Sequence, residues 1–83
     1  MPGYIATVTV RLKEGVLDPE AETTRRALER LKYPVSGLRR ADYFEVDFDA
    51  SDEDEATAKA EEMTKRLLAN PTIHDYAVEV EQQ

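Results

Sequence analysis

Leu12-Lys13-Glu14-Gly15-Val16-Leu17-Asp18-Pro19-Glu20 holds a strand end, a tight turn and a helix start within nine residues. Gly15 can adopt the positive φ that a side chain opposes. Asp18 is placed to accept from the free N–H groups of a first helical turn. Pro19 then stands where a missing N–H is no loss. The chain therefore passes from strand to helix here, and the flanking segments are read outward from this junction.

Upstream, Tyr4, Ala6, Val8, Val10 and Leu12 alternate with Thr7, Thr9, Arg11 and Lys13. Period two with one apolar face predicts a half-buried strand whose polar face meets solvent or a partner. Downstream, Ala21, Thr24, Leu28 and Leu31 recur at helical spacing, with Ala27 beside them. That narrow stripe predicts a helix from Pro19 to about Lys32, able to lie close to a sheet. The capping box is incomplete, since Ala21 stands where Glu would be needed. Tyr33-Pro34 ends the helix, because a residue before proline avoids the α region, and Gly37 allows a turn.

The spacing next predicts a long strand over 38–49. Phe44, Val46 and Phe48 share one face, yet Arg40 and Asp42 continue that parity while Ala41 and Tyr43 oppose it. A bulge or bend near 40–43 would explain the change, as would a strand whose first end packs on a neighbouring subunit; the second is slightly preferred. A second helix is expected from Ser51, where Ser51 and Asp54 match a loose capping signature. Asp52, Glu53, Asp54 and Glu55 crowd its positive end, with Lys65 and Arg66 at the other. Ala56, Ala60, Met63 and Leu67 form its expected inner stripe. Asn70-Pro71 stops it, and Ile73 to Glu81 alternates as a third strand with His74, Tyr76, Val78 and Val80 on one face.

The order is β-α-β-α-β, and the fold class expected is α+β. The 83 residues form a single domain, 1–83. Its small, mainly antiparallel sheet is covered on one face by two helices. Three strands leave two edges open to another copy. A chain this short buries only about 60% of its unfolded surface. There is no cysteine and one histidine, so disulfides, thiolate metal sites and multi-histidine sites are excluded. Association remains as the aid to stability, extending or completing the sheet. The absence of cysteine, signal peptide and membrane span points to the cytoplasm.

Charge divides the chain. Residues 1–40 hold eight Lys/Arg against five Asp/Glu, a net +3, and residues 41–83 hold three against thirteen, a net −10, within a total of −7. The balance disfavours nucleic acid. Arg25, Arg26 and Arg30, with Arg39 and Arg40, could form an anion patch; the plainer reading pairs the helix arginines with Glu22 and Glu29. The acidic run 47–55 lacks the glycine and glutamate of a calcium loop. His74 and Asp75 point to opposite faces if both lie in a strand, which argues against an acid–base pair. No phosphate loop or nucleophile elbow occurs. No catalytic, cofactor-binding or metal-binding residue is assigned.

Three blocks in order resemble the PurS family, the small subunit of phosphoribosylformylglycinamidine (FGAM) synthase in purine biosynthesis. They are Val8 to Glu20, Leu38 to Val46, and Leu67 to Glu81, spread along the chain from near one end to near the other. Where the family carries Gly-Lys this chain has Ala41-Asp42, so any contact made through that lysine is not carried over. The resemblance implies a non-catalytic subunit joining an ATP-dependent synthetase subunit to a glutaminase subunit. It would let glutamine-derived ammonia reach activated formylglycinamide ribonucleotide. It implies dimers or dimers of dimers, and no bound cofactor on this chain, while the complex uses ATP, magnesium and glutamine. Two other readings compete: a small α+β ligand-binding regulatory module, and a stand-alone enzyme using His74 and Asp75. The first would want a glycine-rich or polar loop after the first strand, where only Glu14 to Leu17 is available.

Overall fold

The alternation around Val8 becomes β1, Gly3–Leu12, the middle strand of an antiparallel sheet ordered β2-β1-β3. The computed structural model describes residues 2–83. β2 is Ala41–Asp49 and β3 is His74–Gln82. Helix α1 is Pro19–Arg30; helix α2 is Glu53–Met63, continued by a π-helical turn at Thr64–Leu68. The β-α-β-α-β order and the antiparallel sheet are those expected from the sequence.

Both outer strands run antiparallel to β1 and so parallel to each other, and α2 carries the chain between them across the sheet. Tyr4, Ala6, Val8 and Val10 are buried on the helix side. Ala60 and Ala69 close over them, with Met63, Leu68, Val78 and Val80 packed around. A smaller cluster joins Tyr4, Ala50 and Ala56 to Phe48, whose ring centroid lies 6.4 Å from that of Tyr4. Alanines at the contact let α2 approach β1 and β3 closely.

The two helices do not share the sheet face, contrary to the expectation that both cover it. Arg11 pairs with Ala41, so β1 and β2 form a hairpin whose loop is the whole segment 13–40. A hairpin loop continues along the strand direction, and α1 therefore projects beyond the end of the sheet. Ala21 is the only buried residue in α1. The molecule measures 53 × 26 × 15 Å. A ten-residue strand of about 33 Å followed by a twelve-residue helix of about 18 Å accounts for the long axis.

Three further differences have local causes. β2 starts at Ala41 rather than Leu38, and its pairing with β1 runs unbroken from Arg11↔Ala41 to Gly3↔Asp49. No bulge exists there: Arg40 belongs to the arm, while Ala41, Asp42 and Tyr43 keep regular strand parity at the exposed first end of β2. α2 is capped one residue later than expected: Asp52 accepts from the Glu55 N–H at 2.8 Å, and the Ser51 hydroxyl donates to the Glu55 carboxylate at 2.7 Å. Finally, the Ala69 N–H donates to the Thr64 carbonyl, a five-residue step. That wider coil turns Leu67 outward, leaving it 86% exposed, while Thr64, four residues after Ala60 on the same face, is fully inside. The Thr64 hydroxyl donates to the Ala60 carbonyl at 2.8 Å, so no polar atom is stranded.

Candidate interaction surfaces

The strand–turn–helix junction is built as its residues dictate. Gly15 sits at φ 88°, and the Val16 N–H closes the turn onto the Lys13 carbonyl. Asp18 caps α1 by accepting from the Ala21 N–H at 3.1 Å. That bond outweighs the opposing effect of burial and, with further help from Arg40, holds the Asp18 carboxyl below its ordinary range. Arg40 reaches Asp18 Oδ2 at 3.0 Å and Glu20 at 3.3 Å, fastening the returning chain to the start of the arm. A hollow of about 360 Å³ lies beside this clasp, lined by Arg11, Lys13 and Arg39 but also by Glu14 and Asp75.

Arg25 and Arg26 on α1 pair as the plainer reading expected. Arg25 binds Glu22 and Glu29, and Arg26 lies 3.4 Å from Glu22. Arg25 lowers the Glu22 carboxyl and is itself raised by it. At the far end of α1, Lys32 takes φ 75° while its N–H and that of Tyr33 donate to the Glu29 and Leu28 carbonyls. This is a Schellman ending with lysine in the position glycine usually holds.

His74 and Asp75 are not brought together. His74 Nδ1 accepts the Asn70 backbone N–H at 2.8 Å, and the His74 backbone N–H donates back to the Asn70 carbonyl. The ring thus locks the turn before β3. Asp75 lies on the other face, opposite Arg11. The acidic run divides its labour: Asp52 caps α2, Asp47 accepts from Gln83, and Glu55 binds Ser51 and Lys59. The Ser51 hydroxyl first, and Lys59 next, draw the Glu55 carboxyl down to about 2. Among the described residues no group of three or more His, Cys, Asp or Glu could hold a metal ion.

What remains is surface. The sheet face away from α2 is uncovered: Ile5 lies between Asp47 and Glu81, Thr7 between Glu45 and Glu79, and Thr9 between Tyr43 and Ala77. Four carboxylates thus flank an uncharged ridge. On the helix side, α2 packs over β1 and β3 but leaves β2 half-covered. A groove of about 720 Å³ runs there, lined by Val46, Phe48, Met63, Leu67 and Leu68. Sequence reasoning missed this groove, because Leu67 counted as core under an unbroken α period.

The described residues thus define a small α+β domain with a bare sheet face, two sheet edges and a projecting arm. Residues 5–82 match the PurS family, described as phosphoribosylformylglycinamidine (FGAM) synthase. The chain is 42% identical to the PurS subunit of that synthase from Methanocaldococcus jannaschii, over 94% of this chain and 95% of the relative. A solved PurS subunit of FGAM synthetase is 39% identical and superposes with a TM-score of 0.87, covering 93% of this chain and 92% of its own. A chain in the PurLQS structure from Thermotoga maritima is 28% identical, with a TM-score of 0.82 and full coverage of both. This chain belongs to the PurS family, the FGAM synthase subunit of purine biosynthesis. Among the described residues no helix is long and apolar enough to cross a membrane.

Proposed function

We propose that this chain is the non-catalytic connector of a cytoplasmic FGAM synthase. It joins the ATP-dependent synthetase subunit to the glutaminase subunit and associates with its own copies. ATP, magnesium and glutamine are handled by the other subunits. The observation that carries this reading is similarity along the entire chain to a subunit found within a PurLQS structure. The chemical reason for a connector is the behaviour of ammonia. Bulk water at neutral pH protonates it, and only the neutral form attacks the activated amide carbon. A passage closed to water keeps it reactive, as water exclusion does in closed active sites. The uncovered faces of β1 and β2, together with α1, are the surfaces offered to the other subunits.

Reconstitution tests this directly. Synthetase and glutaminase subunits are assayed with and without the chain, using glutamine or free ammonia as nitrogen source. Glutamine-dependent product formation should fall at least tenfold on omission, while ammonia-dependent formation persists. Equal glutamine-dependent rates in both mixtures would reject the connector role.

A further inference from the structure

We propose that the hollow at the root of the arm is a binding site for an acidic α-amino acid, a small molecule with two carboxylates and one ammonium. The site is additional to the connector role and does not depend on it. The hollow is about 360 Å³, within the span of about 300–1,000 Å³ common to small-molecule sites. Its walls come from three parts of the chain: the end of β1 with the turn after it, the returning segment 38–40, and Asp75 on β3. The turn alone is too short to enclose a ligand, and the returning segment supplies the opposite wall.

The charges in the hollow select the ligand. Arg11, Lys13 and Arg39 line it together with Glu14 and Asp75, and among the described residues none of these five side chains is held in a hydrogen bond or ion pair. Their neighbour Arg40 is committed to Asp18 and Glu20. Three uncommitted cations against two uncommitted carboxylates leave a net +1, which a ligand of net −1 neutralises. A simple anion would satisfy the cations and be repelled by Glu14 and Asp75, and a simple amine would do the reverse. An amino dicarboxylate satisfies both signs. Arg11 and Lys13 share one side of the chain at the end of β1, two residues or about 7 Å apart, a spacing suited to two carboxylates joined by a short chain. Asp75 pairs with Arg11 across the strands, so an acceptor for the ammonium stands beside a donor to a carboxylate. These groups are rooted on fixed backbone. The Lys13 N–H donates to the Ile73 carbonyl at 2.8 Å, the Val16 N–H closes the turn at 3.1 Å, and the Arg40 clasp anchors the segment that carries Arg39. A ligand here touches both the sheet and the returning end of the arm, and so stiffens a helix that buries only Ala21 of its own.

The test titrates the purified chain with L-glutamate, glutarate, glycine and inorganic phosphate, followed by amide NMR. L-Glutamate should give saturable shifts concentrated at residues 11–15, 38–40 and 75, and should bind at least about tenfold more tightly than the other three. Glutarate has both carboxylates without the ammonium, and glycine has the ammonium with one carboxylate. Lys13→Ala and Arg39→Ala, both at exposed positions, should each weaken L-glutamate about tenfold at unchanged helicity. Asp75→Asn should erase the preference for L-glutamate over glutarate. Amide exchange across residues 19–31 should slow at saturation. Phosphate or glutarate binding as tightly as L-glutamate would overturn the proposal. So would an absence of saturable shifts up to about 10 mM, or shifts unchanged by Arg39→Ala. The reconstituted glutamine-dependent assay reports on the connector role separately, so either reading can fail without the other.

Discussion

Val8 and Thr64 are the largest side chains fully enclosed by this small body. Val8→Ala removes two methyl groups from the middle of the central strand, where neighbours on three sides cannot close in. Chemical denaturation should show a loss of about 2 kcal/mol. Thr64→Val keeps the shape but deletes the hydroxyl bond to the Ala60 carbonyl at the entry to the π turn. The same measurement should show a loss of about 1 kcal/mol. Val8 was legible from strict alternation, since period two puts it on the apolar face whatever else happens. Thr64 was not, because a polar side chain is read as exposed even where, four residues after Ala60, it continues the buried face into the π turn. No residue pattern around Lys65 announces that winding. His74 shows the opposite case: its distance from chemistry followed correctly from strand parity, while its bond to Asn70 depended on a turn that parity does not describe.

Helix ends set the stability of both helices. Asp52→Ala leaves the Glu55 N–H without its acceptor and should cost about 1 kcal/mol by denaturation. Glu55 adds a pH dependence with a definite sign. Its carboxyl falls from 4.5 unfolded to about 2 folded, so its contribution is complete above pH 4.5 and is lost as pH drops through about 2. An acid titration followed by far-UV circular dichroism should therefore lose α2 signal across that window, with Glu55→Gln flattening the response. Lys32 sits in left-handed backbone where a side chain is unfavourable. Lys32→Gly should stabilise the arm by up to about 1 kcal/mol, seen as a higher midpoint in thermal melting. The elements themselves were readable from Asp18-Pro19, Tyr33-Pro34 and Asn70-Pro71, whose backbone restrictions act locally. The cap at Asp52 rather than Ser51 was not, because both residues can serve and the choice depends on where Ala50 is buried.

At the scale of the molecule, the sheet and the arm play separate parts. A new charge on the bare face, Ile5→Lys, or a reversed one, Glu79→Lys, touches no core residue. Such variants should melt within about 2 °C of wild type while reducing glutamine-dependent synthesis in the reconstituted complex, if β1 and its neighbours face the other subunits. The expected two-helix layer failed for one chain because pattern reading assigns an amphipathic helix to its own sheet. Nothing in the spacing of Ala21, Leu28 and Leu31 ties that stripe to this sheet. The hairpin pairing of Arg11 with Ala41 is what sends the helix outward, and pairing partners are not written in single-strand periodicity.

Because segment 13–40 is one long excursion between two directly paired strands, its length is uncoupled from the register of every strand. Two extra turns inserted into α1 would carry its tip about 11 Å farther while leaving each ladder bond where it is. Reach in this fold is therefore an adjustable dimension, able to drift between lineages or be retuned in the laboratory without reinventing the body that bears it.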